Sequence, residues 1–392
     1  MKTATDQARA KRSRGAATPA AAATAAAAGT ATVQAKAHDV VLQVRDLAVD
    51  IRTHRGTVRA VNSVAFEARA GETLALLGES GCGKSMTAKA LAGIMDPVCD
   101  LADGEIVLNG TDLASLSARE RLKFAGPELG IVFQDALTAL NPVYTVGTQL
   151  GEAFRIHRGL NAKEARFEAI DLMKRVGIPE PESRVNSYPH QFSGGMRQRI
   201  LIAMAVALNP RLLIADEPTT ALDVTVQAQI MQLLRKLREE GQMAVILITH
   251  DLAVVAEEAD SVAVMYAGNV VESGPVSEVF ADPRHPYTKG LLESVPVHLE
   301  RGAKLKSIAG SPPELHDIPA GCVYQSRCPL VQDICRAERP VLRPVAGART
   351  PDARNPLGGS AVAGDPVNIP SGKEPRPART AACHFSEEIN NV

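Results

Sequence analysis

The chain of 392 residues predicts an α/β fold whose parallel sheet carries a nucleotide site. Two phosphate-site sequences support this. Gly78-Glu79-Ser80-Gly81-Cys82-Gly83-Lys84-Ser85 fits G-x-x-x-x-G-K-[ST] at every fixed position. Leu212-Leu213-Ile214-Ala215 is an apolar run ending in the carboxylates Asp216 and Glu217. Between them lies Phe192-Ser193-Gly194-Gly195-Met196-Arg197-Gln198-Arg199, and the order of the three narrows a generic nucleotide binder to one ATPase superfamily.

Each element follows in turn. Residues 1–38 are Ala/Thr-rich with scattered Lys and Arg, and Ala is too weakly apolar to supply the core of a secretory signal, so the segment reads as a disordered tail. Val41 to Ile51 alternates in a strand pattern. Glu72 to Leu77 has the length and polarity of a buried strand, and Ser85 to Ile94 reads as a helix with Leu91 and Ile94 on one side. The glycines therefore sit in a strand-to-helix turn, the context that the motif requires. Gly78, Gly81 and Gly83 free the backbone, whose N–H groups and helix N-terminus favour phosphate. The expected nucleotide contacts are Gly78, Ser80, Gly81, Gly83, Lys84, Ser85 and Met86, with Lys84 bridging the β- and γ-phosphates and Ser85 on Mg²⁺.

Leu212 to Ala215 reads as a central parallel strand, and Asp216 at its C-terminal end falls where open α/β sheets bind ligands. Asp216 would hold Mg²⁺ through water, and Glu217 would polarise an attacking water. Pro218 suits a helix start, so a solvated carboxylate pair is the bland alternative; the partner motifs favour catalysis.

The chain resembles the ATP-binding subunit of an ABC transporter. Gln134 in Ile131-Val132-Phe133-Gln134-Asp135 resembles the Q-loop, which implies contact with Mg²⁺ and the lytic water. Ser193-Gly194-Gly195 resembles the signature turn that contacts ATP held by the opposite subunit. Ala221-Leu222-Asp223 resembles the D-loop, and His250, after the apolar run Ala244 to Thr249, resembles the switch histidine. Tyr188 to Arg199, Leu140-Asn141-Pro142, Thr219 to Thr225 and His285-Pro286-Tyr287-Thr288 narrow the resemblance to the D-type subunit of dipeptide and oligopeptide importers. Two departures stand out. Phe192 and Met196 replace the Leu and Gln of the general signature, and no Phe, Tyr or Trp lies between Arg45 and Ser63 to stack on adenine, leaving His54 and the arginines as flat groups.

The resemblance implies a P-loop ABC nucleotide-binding domain at 39–299, with an antiparallel β subdomain and a helical subdomain at about 136–192. A Cys-rich C-terminal appendage follows at 300–392, with a Pro/Gly/Ala-rich linker at about 344–379. Within the helical part, Asn161 and Glu164 suggest a capping box, Ala165, Ala169, Leu172, Met173 and Val176 an apolar stripe, and Gly177 and Pro179 a stop.

Composition sets outer limits. A net charge of −1 gives no sign of nucleic-acid affinity, and no run approaches the ~18 apolar residues of a membrane span. The expectation is an ATP-hydrolysing importer subunit, peripheral on the cytoplasmic face of the bacterial inner membrane. Its implied partners are an F-type ATPase, two permease subunits and a substrate-binding protein. Its cargo would be di- or oligopeptides, with nickel chelates or glutathione as the alternative. A soluble ABC ATPase fits worse: no heptad repeat separates loop and signature as in repair types, and there is one cassette rather than the two of translation types.

Four of six cysteines, Cys322, Cys328, Cys335 and Cys383, lie in the C-terminal region with the spacing C-x₅-C-x₆-C and a distant fourth. Disulfides suit an ATPase of the cytosol poorly, and the tight pairs zinc favours are absent. Four thiolates can hold a [4Fe–4S] cluster. Peptide importer subunits with a similar tail bind one, so the resemblance ranks an iron–sulfur cluster above zinc.

Overall fold

The computed structural model describes residues 39–134, 139–220, 222–294, 307–345 and 379–389. The N-terminal tail, most of the linker expected at 344–379, and Asp135 and Ala221 lie outside the described residues.

Two sheets organise these residues. The smaller joins β1 (Val40–Thr53), β2 (Gly56–Arg69), β4 (Cys99–Leu108) and β5 (Thr111–Asp112) in the antiparallel order β2-β1-β4-β5. The larger is built on β3 (Thr73–Leu77), β6 (Leu129–Val132), β7 (Leu212–Asp216), β8 (Ala244–Thr249) and β9 (Ser261–Tyr266), parallel in the order β9-β3-β8-β7-β6. β10 (Asn269–Pro275), β12 (Thr380–Ala381) and β11 (Arg343–Pro344) extend the β9 edge antiparallel.

The central strands read as unbroken apolar runs because both of their faces are covered. Every residue of β3, β7 and β8 is buried. Their pleat sends alternate side chains to different cores. Leu74, Leu76, Leu212 and Ile214 pack with Leu42, Val44 and Val64 of the small sheet. Leu213 and Ala215 face the helices, with Ile200, Leu234 and Met173.

The helices obey their local signals. Lys84–Ala92 follows the glycine loop and ends at Gly93, whose φ of 71° closes it. The expected continuation to Ile94 is thus cut short, and Ile94 is exposed instead of sharing the side of Leu91. Ala162–Arg175 has a capping box between Asn161 and Glu164 and buries Ala165, Ala169, Leu172 and Met173, with Val176 just beyond. Pro218 opens no helix: the next begins at Val224, and Asp223 caps it by accepting from the Val226 amide at 3.0 Å.

The C-terminal segment returns to the sheet. Glu272 pairs with Ala381 and Ser273 with Thr380. Beneath this pairing Arg379 and Glu272 form an ion pair at 3.0 Å, with both side chains almost wholly buried. Arg379 also donates to the Asp282 carbonyl. Burial drives the Glu272 pKa up, while the Arg284 amide and Arg379 pull it down.

Removing one partner strands a buried charge, which typically costs about 3–5 kcal/mol. Arg379→Met should therefore lower stability by about that much in urea unfolding. Adding Glu272→Gln should recover part of the loss, and a single variant as stable as the parent would refute the tether.

Candidate nucleotide site

The phosphate loop leaves the C-terminal end of β3, and the sheet brings its counterparts alongside. In register, Leu77 faces Thr249, Asp216 faces Ile248 and Val132 faces Ala215. The residues that follow β3, β6, β7 and β8 therefore meet at one sheet edge, where open parallel sheets bind ligands.

The loop is held by its glycines. Gly78 has φ 158° and Gly83 φ 106°, values that L side chains rarely adopt. A Cβ on Gly78 would collide with the Met265 carbonyl oxygen, and one on Gly83 would lie 2.9 Å from that of Ala60. Lys84 is buried, and its ammonium donates to the carbonyls of Gly78 at 2.8 Å and Glu79 at 2.9 Å. Cys82, at a free motif position, is buried with its sulfur 3.8 Å from the Lys84 Nζ, and burial raises its pKa.

Two acidic side chains complete the edge. Asp216 accepts from the Ser85 hydroxyl at 3.1 Å, and burial pushes its pKa up. Glu217 has φ 46° and is pinned by its amide to the Ile248 carbonyl at 2.9 Å. Its carboxylate gathers three groups: Gln134 Nε2 at 2.9 Å, the Thr220 hydroxyl at 2.8 Å and His250 Nδ1 at 3.3 Å. Gln134, Glu217 and His250, from three strand ends, thus form one cluster.

Among the described residues no hydrogen bond joins Ser193, Gly194, Gly195 or Asp223 to the Lys84 loop or to Glu217. Ser193 caps the helix Gly194–Val206, accepting from the Met196 amide at 3.4 Å. A Cβ on Gly195 would lie 2.7 Å from Val226, so glycine lets this helix end approach the helix that Asp223 caps. Ser80, Gly81 and Met86 lie on the loop and the first turn of its helix.

Comparison with known proteins identifies the arrangement. The ABC transporter family profile matches residues 61–220, and that of the oligopeptide/dipeptide transporter C-terminal region matches 271–335. The dipeptide transport ATP-binding protein DppD of Bacillus subtilis is 51% identical over 296 residues, 75% of this chain and 88% of that protein. Its Escherichia coli counterpart is 47% identical over 81% of this chain and 97% of its own length. The chain belongs to the ATP-binding subunits of dipeptide and oligopeptide ABC transporters. These are enzymes that hydrolyse ATP, peripheral on the cytoplasmic side of the membrane. Among solved structures, the dimeric MJ0796 cassette in a post-hydrolysis state with ADP and Pi superposes with a TM-score of 0.54, at 28% identity. It covers 60% of this chain and 98% of that one.

In this family member the four C-terminal cysteines line one cavity with His285, Pro286, Tyr324, His384 and Phe385. Burial raises the pKa of Cys322, pushes that of Cys328 up to about 11 and that of Cys383 up to about 12. Neighbouring cysteines add to each shift, because adjacent thiolates repel. Among the described residues no group of three or more His, Cys, Asp or Glu side chains is gathered closely enough to hold a single metal ion.

Sequence reasoning missed two kinds of residue. Thr220 marked the family branch, yet its hydroxyl sits on Glu217. Tyr287, noted only as part of a branch motif, and Arg327, which no motif marked, reach the phosphate loop at Glu79 from 208 and 248 positions away in sequence.

Gly78→Ala forces a glycine-only backbone state that costs about 1–3 kcal/mol. Nucleotide affinity should fall about tenfold or more, since 1.4 kcal/mol is a factor of ten. Equilibrium binding of a fluorescent ATP analogue, with circular dichroism to confirm folding, measures this; unchanged affinity would show that the loop tolerates a side chain there.

Proposed function

We propose that the chain is the D-type motor subunit of a peptide importer, binding ATP between its own Lys84 loop and the Ser193 turn of an F-type partner cassette. The observation that carries this reading is the Glu217 cluster beside the Ser85–Asp216 pair, at the mouth of a glycine loop. Two permease subunits and a substrate-binding protein complete the importer.

The donor set suits the cofactor. A hydroxyl, a carboxylate and an amide oxygen are hard ligands of the kind Mg²⁺ takes. Ser85 and Asp216 already meet, and Gln134 commits its amide nitrogen to Glu217, which leaves the amide oxygen for a cation. When bound, Mg²⁺ neutralises phosphate charge. Lys84 exchanges two loop carbonyls for phosphate oxygens. Glu217 accepts a proton from the water that attacks the γ-phosphorus, as the bond to the ADP oxygen breaks. Gln134, Thr220 and His250 fix the direction of that carboxylate. The glycine-bearing N-terminus of Gly194–Val206 would face the partner's ATP. The dimeric MJ0796 structures support such a sandwich by likeness of fold.

For cargo, peptides are favoured over nickel chelates or glutathione, because the curated relatives are dipeptide and oligopeptide transport proteins. The cysteine quartet would hold a [4Fe–4S] cluster. The four cysteines share one cavity, and four thiolates are the ligand set of such a cluster.

Glu217→Gln in the assembled importer should keep ATP binding and cut turnover roughly 10²–10⁴-fold, the usual worth of a positioned base. Steady-state hydrolysis measures it, and near-parental turnover would defeat the assignment. For the quartet, protein purified without oxygen should absorb in the visible and contain about four irons per chain. A colourless protein with one zinc would exclude the cluster, and a metal-free one would exclude both.

A further inference from the structure

Glu79 occupies a free position of the phosphate-loop motif, yet its amide, carboxylate and carbonyl are all engaged. Its amide donates to the Tyr287 hydroxyl at 2.9 Å. Its carboxylate pairs with Arg327 at 2.9 Å, with Arg327 only 5% exposed and Glu79 25%. Its carbonyl accepts from the Lys84 ammonium at 2.9 Å. Arg327 is itself fixed by donating to the Ala309 carbonyl at 3.0 Å and the Tyr266 hydroxyl at 3.4 Å. Tyr266, Tyr287 and Tyr324 pack ring on ring behind it, with centroids 4.6–5.5 Å apart.

We propose that Arg327 is a positioning residue for ATP: it neutralises Glu79 and locks the phosphate loop to the C-terminal cysteine region, so that the packing of that region sets nucleotide affinity. The inference rests on the reading of the Lys84 loop as the ATP site. Its logic is electrostatic. An uncompensated carboxylate on the loop would repel the phosphates that Lys84 must attract, in a half-buried setting where screening is weak. Arg327 lies one residue before Cys328 and five after Cys322, in a turn closed by its amide on the Tyr324 carbonyl at 3.0 Å. The Cys322 amide in turn donates to the Cys335 carbonyl at 2.7 Å. Any change in how the cysteines pack therefore moves the guanidinium.

The test is Mg²⁺-dependent binding of mant-ATP to the full chain, with KM and kcat of the assembled importer as a second readout. Arg327→Met should weaken binding about tenfold, within the 5–150-fold range of typical site coupling. It should raise KM while leaving kcat within about twofold. Adding Glu79→Gln to Arg327→Met should restore affinity to within about threefold of the parent. Cys328→Ser should weaken binding and add nothing further to Arg327→Met. Should Arg327→Met fail to fold, Arg327→Gln with and without Glu79→Gln gives the same comparison, since glutamine removes the charge but keeps hydrogen-bonding groups. Parental affinity in the arginine variants, or no rescue by Glu79→Gln, overturns the electrostatic lock. Additive effects of Cys328→Ser and Arg327→Met overturn its link to the cysteine region. A parent chain that binds no mant-ATP overturns the ATP reading itself.

Discussion

The register of β3, β8 and β7 is the constraint on which the rest depends. Hydrogen bonding between parallel strands places Leu77 level with Thr249 and Asp216 level with Ile248, one residue before it. The segments that leave those strands then have no choice but to meet. A slip of one residue would turn Asp216 to the opposite face and bury the wrong set of side chains. The uninterrupted burial of these strands makes such a slip costly, because Leu212 and Ile214 belong to one core and Leu213 and Ala215 to the other.

Within the site, charge is distributed with economy. Lys84 is satisfied by loop carbonyls, so it stays buried without, among the described residues, a carboxylate partner that a phosphate would have to displace. Glu217, by contrast, is surrounded by groups that orient it without neutralising it: an amide, a hydroxyl and an imidazole. These three contacts fix the direction of the carboxylate. The strained backbone at Glu217, with φ 46°, is tolerated because its amide is anchored on β8.

The C-terminal region is joined to the nucleotide domain as one packed body. Tyr324, Cys322 and Cys335 share a core with Val264 and Tyr266 of β9 and with Phe280 and Tyr287. Two ion pairs cross the seam, the buried pair of Arg379 with Glu272 and the half-buried pair of Arg327 with Glu79. Such pairs add geometric definition more than net stability. They explain how a segment remote in sequence can hold a motif residue in place.

The sequence by itself determined the elements whose signals are local. Apolar runs gave β3, β7 and β8, Asn161 with Glu164 gave a helix start, and the glycine pattern gave the phosphate loop, because dihedral freedom and periodicity act over a few residues. The motif order gave Lys84, Ser85, Asp216, Glu217 and His250 as candidates. Only the tertiary structure decided which of them touch. Thr220 joins Glu217 through a turn that no pattern announces, and Ile94 falls outside its helix because Gly93 ends it first. Tyr287 and Arg327 reach Glu79 across more than 200 residues. Contacts of that kind follow from how whole sheets and cores pack, which no short window of sequence encodes.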